Sequence, residues 1–347
     1  MHKRLSYLDA LRGLAIILVV VSHVSNFDFG IKPYDSSWNH FICTFYLPLF
    51  FFISGFLSFK VWDSYKRIAL SLWKKVLSLL LPLFVFFCIR GFVSGEINPL
   101  RNIFVYDGMI YWFLLVLFEI FVTYYSVCAI VRGSSSLMKL PYRLSLSVTL
   151  ILFSVALVVC LVLLRDDESR FWNVACMENY TKYFQFFAFG IIAKAYNERF
   201  HSLLSNHFVR LFVVGLFFFL SIAIHLEPVR NNFWIYSAVH DEFVRYLGIL
   251  TMYILFYDNR YYFETKNRLS RAFVVVGRRS LDIYLLEGFF HPHLKDILNP
   301  VFASNYSIGL DITLSIIIAV LIIAICIGVS KILRTSELLG RLLFGSR

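Results

Sequence analysis

The chain predicts an all-α fold, a polytopic bundle of about ten membrane-spanning helices, on three observations. Hydrophobic residues make up 59% of it and charged residues only 16%, where soluble domains carry about 25% charged residues. Apolar runs of about 20 residues, enough to cross a bilayer core, recur along all 347 positions. Lys and Arg gather in alternate connections between these runs.

Taken in order, the first run (5–27) carries Arg12 and His23. The second (41–59) is aromatic and broken by Pro48 and by Ser54-Gly55. The third (69–91) has Lys74 and Lys75 one to two turns inside it and Pro82 beyond them. The fourth (106–131) contains Glu119. The fifth, sixth and seventh span 144–164, 180–196 and 208–226. The eighth (233–257) opens on His240, Asp241, Glu242 and Arg245. The ninth (272–291) starts at Arg278-Arg279 and reaches Glu287, and the tenth (309–333) closes at Lys331.

With the N-terminus inside, 24 of the 33 Lys and Arg fall on or near the inner face. That is the positive-inside pattern, and it predicts both termini in the cytoplasm of a multi-pass inner (plasma) membrane protein. The net charge of +11 thereby has a topological explanation, and no nucleic-acid partner is expected. The first run exceeds a signal-peptide core and lacks a small-residue cleavage pattern, so it reads as a retained anchor. The six cysteines show no C-x-x-C or metal-ligand spacing, so neither a metal nor a disulfide framework is expected. No phosphate loop, nucleophile elbow or internal repeat stands out, and one membrane domain accounts for 1–347.

Arg12 and His23 are eleven positions apart. At about 100° per residue their side chains nearly eclipse, and about 1.5 Å of rise per residue separates them by about 16 Å. Ionisable groups in a lipid-embedded helix are costly and usually face a protein interior or polar path. One reading is a site that holds an anion at one depth and moves a proton at another. The other is a snorkelling Arg and a His bonded to a neighbouring carbonyl. Likewise, Ser54-Gly55 either permits close helix packing or lets a ligand reach the backbone. Lys74 and Lys75 either snorkel or meet a polyanion at the inner face. Glu119 and Glu287 are carboxylates inside apolar runs: either makes a structural hydrogen bond, or one of them, Glu287 by its depth, orients His23 or binds acceptor hydroxyls. The outer segment RDDESRFWNVACMENY mixes aromatic and polar groups, as sugar sites and interfacial belts both do.

The blocks SYLDALRGLAIILVVVSH, FYLPLFFFISGFL, YWFLLVLFEIF, YFQFFAFGIIAK and GRRSLDIYLLEGFF follow in this order. Together they resemble the acyltransferase 3 family of membrane O-acyltransferases, and the second block is particularly similar to members that O-acetylate polysaccharide sugars. The resemblance implies about ten transmembrane helices, a cytoplasmic acyl-CoA co-substrate (acetyl-CoA expected), and transfer to a carbohydrate or glycolipid hydroxyl. His23 matches the family's catalytic His, and Arg12 and Asp9 match its first-helix Arg and the preceding Asp. Lys74 and Lys75 match the basic start of the third-helix motif. Ser78 replaces a second Arg, Tyr46 stands where sugar acetylases often carry His, and Glu287 stands where many members have His. The resemblance gives His23 as the expected catalytic base, and Glu287, chosen on its depth and not on the resemblance, is set beside it as the expected partner. The expected donor contacts are Arg12, Asp9, Lys74, Lys75, Ser54 and Gly55. A transporter or flippase of a polar or lipid-linked solute is the alternative, with Arg12 and Glu119 on its path. Against it, Ser54-Gly55 has no counterpart in a second half of the chain, where transporters often show paired broken helices.

Overall fold

The computed structural model describes residues 5–32, 36–93, 95, 111–138, 140–163, 175–223, 234–265, 267–304 and 306–345. Among them there is no strand. The helices are α1 Ser6–His23, α2 Ser37–Cys43, α3 Tyr46–Ser58, α4 Tyr65–Lys75, α5 Leu81–Val93, α6 Trp112–Met138, α7 Tyr142–Leu163 and α8 Met177–Ala195. They continue as α9 Asn197–Ser205, α10 His207–Ala223, α11 Trp234–Asp258, α12 Arg268–Arg278, α13 Ser280–Leu286, α14 Lys295–Ser304, α15 Ile308–Leu333 and α16 Glu337–Phe344. Six of the described helical segments are long and apolar enough to cross a membrane, or seven if the pair Asn197–Ser205 and His207–Ile222, bent by 81°, is one span.

Three of the ten expected spans take other forms. α8 and α11 are single helices whose polar residues, Glu178, Lys182 and Lys194 in one and His240 to Arg245 in the other, interrupt their apolar runs. The ninth run is broken. Its first half is α12, and the chain leaves helical geometry at Arg279 (φ −106°, ψ 12°) before restarting as α13. Arg279 then pairs with Asp282 in the first turn of α13, Nη1 to Oδ2 3.2 Å. A 3₁₀ turn, Glu287–Phe289, ends the run.

The chain divides into two compact units. The first comprises Met1–Ile53 and Asn197–Lys331. Within it α1 packs on α12 through two glycines. A Cβ on Gly13 would meet the carbonyl oxygen of Phe273, and one on Gly277 would meet that of Asp9. Without a hydrophobic drive between helices in lipid, such close backbone approach supplies the van der Waals contact that holds them. Leu8, Leu11, Ala15, Ile16 and Val20 of α1 are buried along the same helix.

The far end of α1 is fixed differently. A π-helical turn, Val24–Asp28, follows His23. Asp311, 0% exposed at the start of α15, accepts from four hydroxyls: Ser25 (3.1 Å), Ser36 (3.0 Å), Tyr306 (3.1 Å) and Ser315 (3.1 Å). A buried carboxylate costs heavily unless its oxygens are satisfied, and here four donors satisfy it and bind α15 to the segment after His23.

The second unit comprises Ser54–Tyr196 and Ile332–Arg347, with α6, α7 and α8 as its long helices. A Cβ on Gly55 would meet the carbonyl oxygen of Phe187 in α8. Of the two readings of Gly55, helix packing is the one its surroundings fill. Ser64 caps α4 by accepting from the Lys66 backbone N–H at 3.2 Å.

Candidate active site

α1 runs as an unbroken α-helix from Ser6 to His23, so the helical rise puts Arg12 and His23 about 16 Å apart on nearly the same face. The two ends of that face differ in chemistry.

At the His23 end, Nδ1 of His23 lies 2.9 Å from Oε1 of Glu287. The break in the ninth run makes this contact: α13 stops and the 3₁₀ turn sets Glu287 against α1. Glu287 is 4% exposed, while the His23 side chain stays 30% exposed. With Glu287 ionised, Nδ1–H donates to the carboxylate and Nε2 carries the free lone pair. This is the tautomer a general base needs. The carboxylate also stabilises the imidazolium formed once a proton is taken.

Two residues join this pair that the sequence did not single out. Asp28, 0% exposed and last in the π-helical turn, lies 2.7 Å from His291 Nδ1 and accepts from the His293 backbone N–H at 2.9 Å. His293 itself has φ +52°, a left-handed conformation uncommon outside Gly, held in part by that bond. Phe27 packs against both imidazoles, with centroids 5.1 Å from His23 and 5.4 Å from His291. One ligand atom each from His23, Glu287 and His291 lies within 4.8 Å of the others. π turns inside helices are frequent at functional sites. The signal available was His-Pro-His at 291–293 just past Glu287, but nothing in the sequence announced the turn that brings Asp28 to it.

At the other end, Asp9 is 5% exposed and its Oδ2 accepts from Arg278 Nε at 3.0 Å. Arg278, 45% exposed, and half-buried Arg12 flank the Gly13–Gly277 crossing. Asp9 is thus engaged in orienting a cation, and an anionic ligand would meet the guanidinium groups rather than this carboxylate.

The remaining expected donor contacts lie in the second unit. Lys74 is exposed at the end of α4, and half-buried Lys75 sets its Nζ 3.9 Å above the ring centre of Phe121. Ser54 is half-buried beside Gly55. Glu119, also in this unit, has a buried Oε2 without a hydrogen-bond partner. In the first unit, Glu242 pairs with Arg245, and His240 Nδ1 lies 3.7 Å from Asp241 Oδ1. Residues 165–174 of the expected outer segment lie outside the described residues.

A family model described as an acyltransferase domain, that of the acyltransferase 3 family, matches residues 5–331. No curated protein and no solved structure matches the chain.

Proposed function

The chain belongs to the acyltransferase 3 family and is a membrane acyltransferase, and from that premise we propose that it moves an acetyl group from cytoplasmic acetyl-CoA to a hydroxyl of a cell-surface polysaccharide or glycolipid sugar. The observation that carries this reading is the His23–Glu287 contact at 2.9 Å, at the end of the α1 face opposite Arg12. Family membership sets the transporter alternative aside.

A sugar hydroxyl is a poor nucleophile at neutral pH. His23 Nε2 takes its proton as the oxygen attacks the thioester carbonyl, and Glu287 stabilises the resulting imidazolium. The C–S bond then breaks, and the proton held by His23 passes to the departing thiolate as CoA leaves. At the other end, Arg12 holds phosphate oxygens of the nucleotide, for which a planar guanidinium suits two parallel hydrogen bonds. The pantetheine arm is comparable in length with the roughly 16 Å between Arg12 and His23. Its thioester therefore reaches His23 while the charged nucleotide stays at the inner face. Moving that nucleotide through lipid would be prohibitively costly. Lys74 and Lys75 are proposed as donor contacts of the second unit. In this reading the membrane is the cell's inner membrane, with both termini in the cytoplasm.

Acetyl-CoA binding to the purified protein tests the donor assignment. Affinity should fall as salt rises, because the contacts are between exposed or half-exposed charges. Arg12→Ala should weaken binding by about ten- to a hundredfold, the equivalent of one or two charge-assisted hydrogen bonds, and Arg12→Lys should restore only part of it. A well-folded Arg12→Ala protein that binds acetyl-CoA as tightly as wild type would remove Arg12 from the donor site.

A further inference from the structure

We propose that His23, Glu287 and His291 form a binding site for one divalent transition-metal ion of the zinc class, with Asp28 as the residue that orients His291. Among the described residues these three bring their ligand atoms within 4.8 Å of one another. Two histidines and one carboxylate are a donor set suited to zinc, whose bonds to imidazole nitrogen and carboxylate oxygen are about 2.0–2.2 Å.

The unmet hydrogen bonding at the cluster points the same way. Oε2 of Glu287 and Nε2 of His291 are both buried and have no hydrogen-bond partner. The side chains that carry them are 5% and 3% exposed. Once His291 gives its Nδ1–H to Asp28, Nε2 is a bare lone pair, so both orphaned atoms are acceptors and neither can satisfy the other. Buried acceptors left this way are costly, and an ion is one of the few things that relieves two at once. The charge balance agrees: two buried carboxylates, Asp28 and Glu287, face two imidazoles, and a divalent cation offsets them.

The second observation is the support behind His291. A ligating histidine usually donates its other ring N–H to a carboxylate, which fixes the tautomer and raises the basicity of the coordinating nitrogen. Asp28 stands in that relation at 2.7 Å and is itself held by the backbone of His293 at 2.9 Å. A general base alone does not call for a second histidine prepared in this way.

Binding requires the ligand atoms to draw together and His23 to exchange its hydrogen bond with Glu287 for the ion. The ion and the acceptor proton then compete for His23. Occupation of the site acts as a brake on transfer, and this consequence rests on His23 being the base, whereas the binding itself does not.

The test uses the full chain, stripped with chelator and titrated with zinc alone in competition with a chromophoric chelator. One equivalent should bind per chain. Glu287→Gln and His291→Ala should each weaken binding at least tenfold, and Asp28→Asn should do so by about ten- to a hundredfold, as removal of such a supporting carboxylate typically does. His207→Ala, which alters an exposed histidine of the same unit, should leave binding unchanged. If Asp28→Asn does not fold, His291→Gln replaces it. Absence of a stoichiometric site, or equal zinc affinity in wild type and His291→Ala, overturns the proposal. In the transfer assay zinc should inhibit wild type and have at least tenfold less effect on His291→Ala. One-equivalent binding that leaves transfer untouched keeps the metal site and overturns the role of His23 as base.

Discussion

His23→Ala is expected to lower the transfer rate by about 10²–10⁴-fold, the usual contribution of a positioned general base. Acetyl-CoA affinity should stay within about threefold of wild type, because Arg12, the proposed donor anchor, lies some 16 Å away along α1. The side chain is 30% exposed, bonds to Glu287 and packs on the Phe27 ring, so the chain should still fold without it. The check is a pair of measurements on one preparation: single-turnover transfer from labelled acetyl-CoA, and equilibrium binding of the same donor. Transfer within tenfold of wild type would return His23 to a structural role.

Glu287→Gln is expected to cost transfer about 10²–10⁴-fold although the side chain keeps its shape. An amide can offer its NH₂ to Nδ1, which moves the imidazole proton to Nε2 and removes the lone pair that the acceptor needs. It also takes away the negative charge that stabilises the imidazolium. The loss of about 10⁴-fold when a triad aspartate becomes asparagine sets the scale for this kind of change. Glu287→Asp retains the charge but shortens the reach, and should fall between wild type and Glu287→Gln. The substitution should leave acetyl-CoA binding unchanged, and the ring nitrogens of His23 should report the changed tautomer in a nitrogen NMR spectrum. Full transfer activity in Glu287→Gln would show that the 2.9 Å contact plays no part in the reaction.

The parts of this site that follow from helical periodicity were legible in the residues. Arg12 and His23 lie on one continuous helix, and a rise per residue is all that is needed to place them. Glu287 was visible as a carboxylate at the right depth, but the contact depends on the break at Arg279 and the 3₁₀ turn at 287–289. Apolar composition reads the stretch 272–291 as one span, because local backbone breaks leave hydropathy unchanged. Asp28 and His291 escaped notice for a related reason. Regular α-geometry turns position 28 about 140° away from position 23, and the π-helical turn alters that angle. Gly55 was ambiguous between ligand and helix, and only the position of the Phe187 carbonyl distinguishes them.

Sidedness of transfer in sealed vesicles tests the central claim most directly. The purified protein is reconstituted, its orientation is fixed by protease access to the chain ends, and an acceptor glycan is enclosed on the face opposite them. Labelled acetyl-CoA is then supplied to one face only. The account predicts labelled glycan when acetyl-CoA meets the face bearing the termini and Arg12, and none with His23→Ala. Labelling only when acetyl-CoA shares the compartment of the acceptor would contradict transfer along the α1 face from Arg12 to His23.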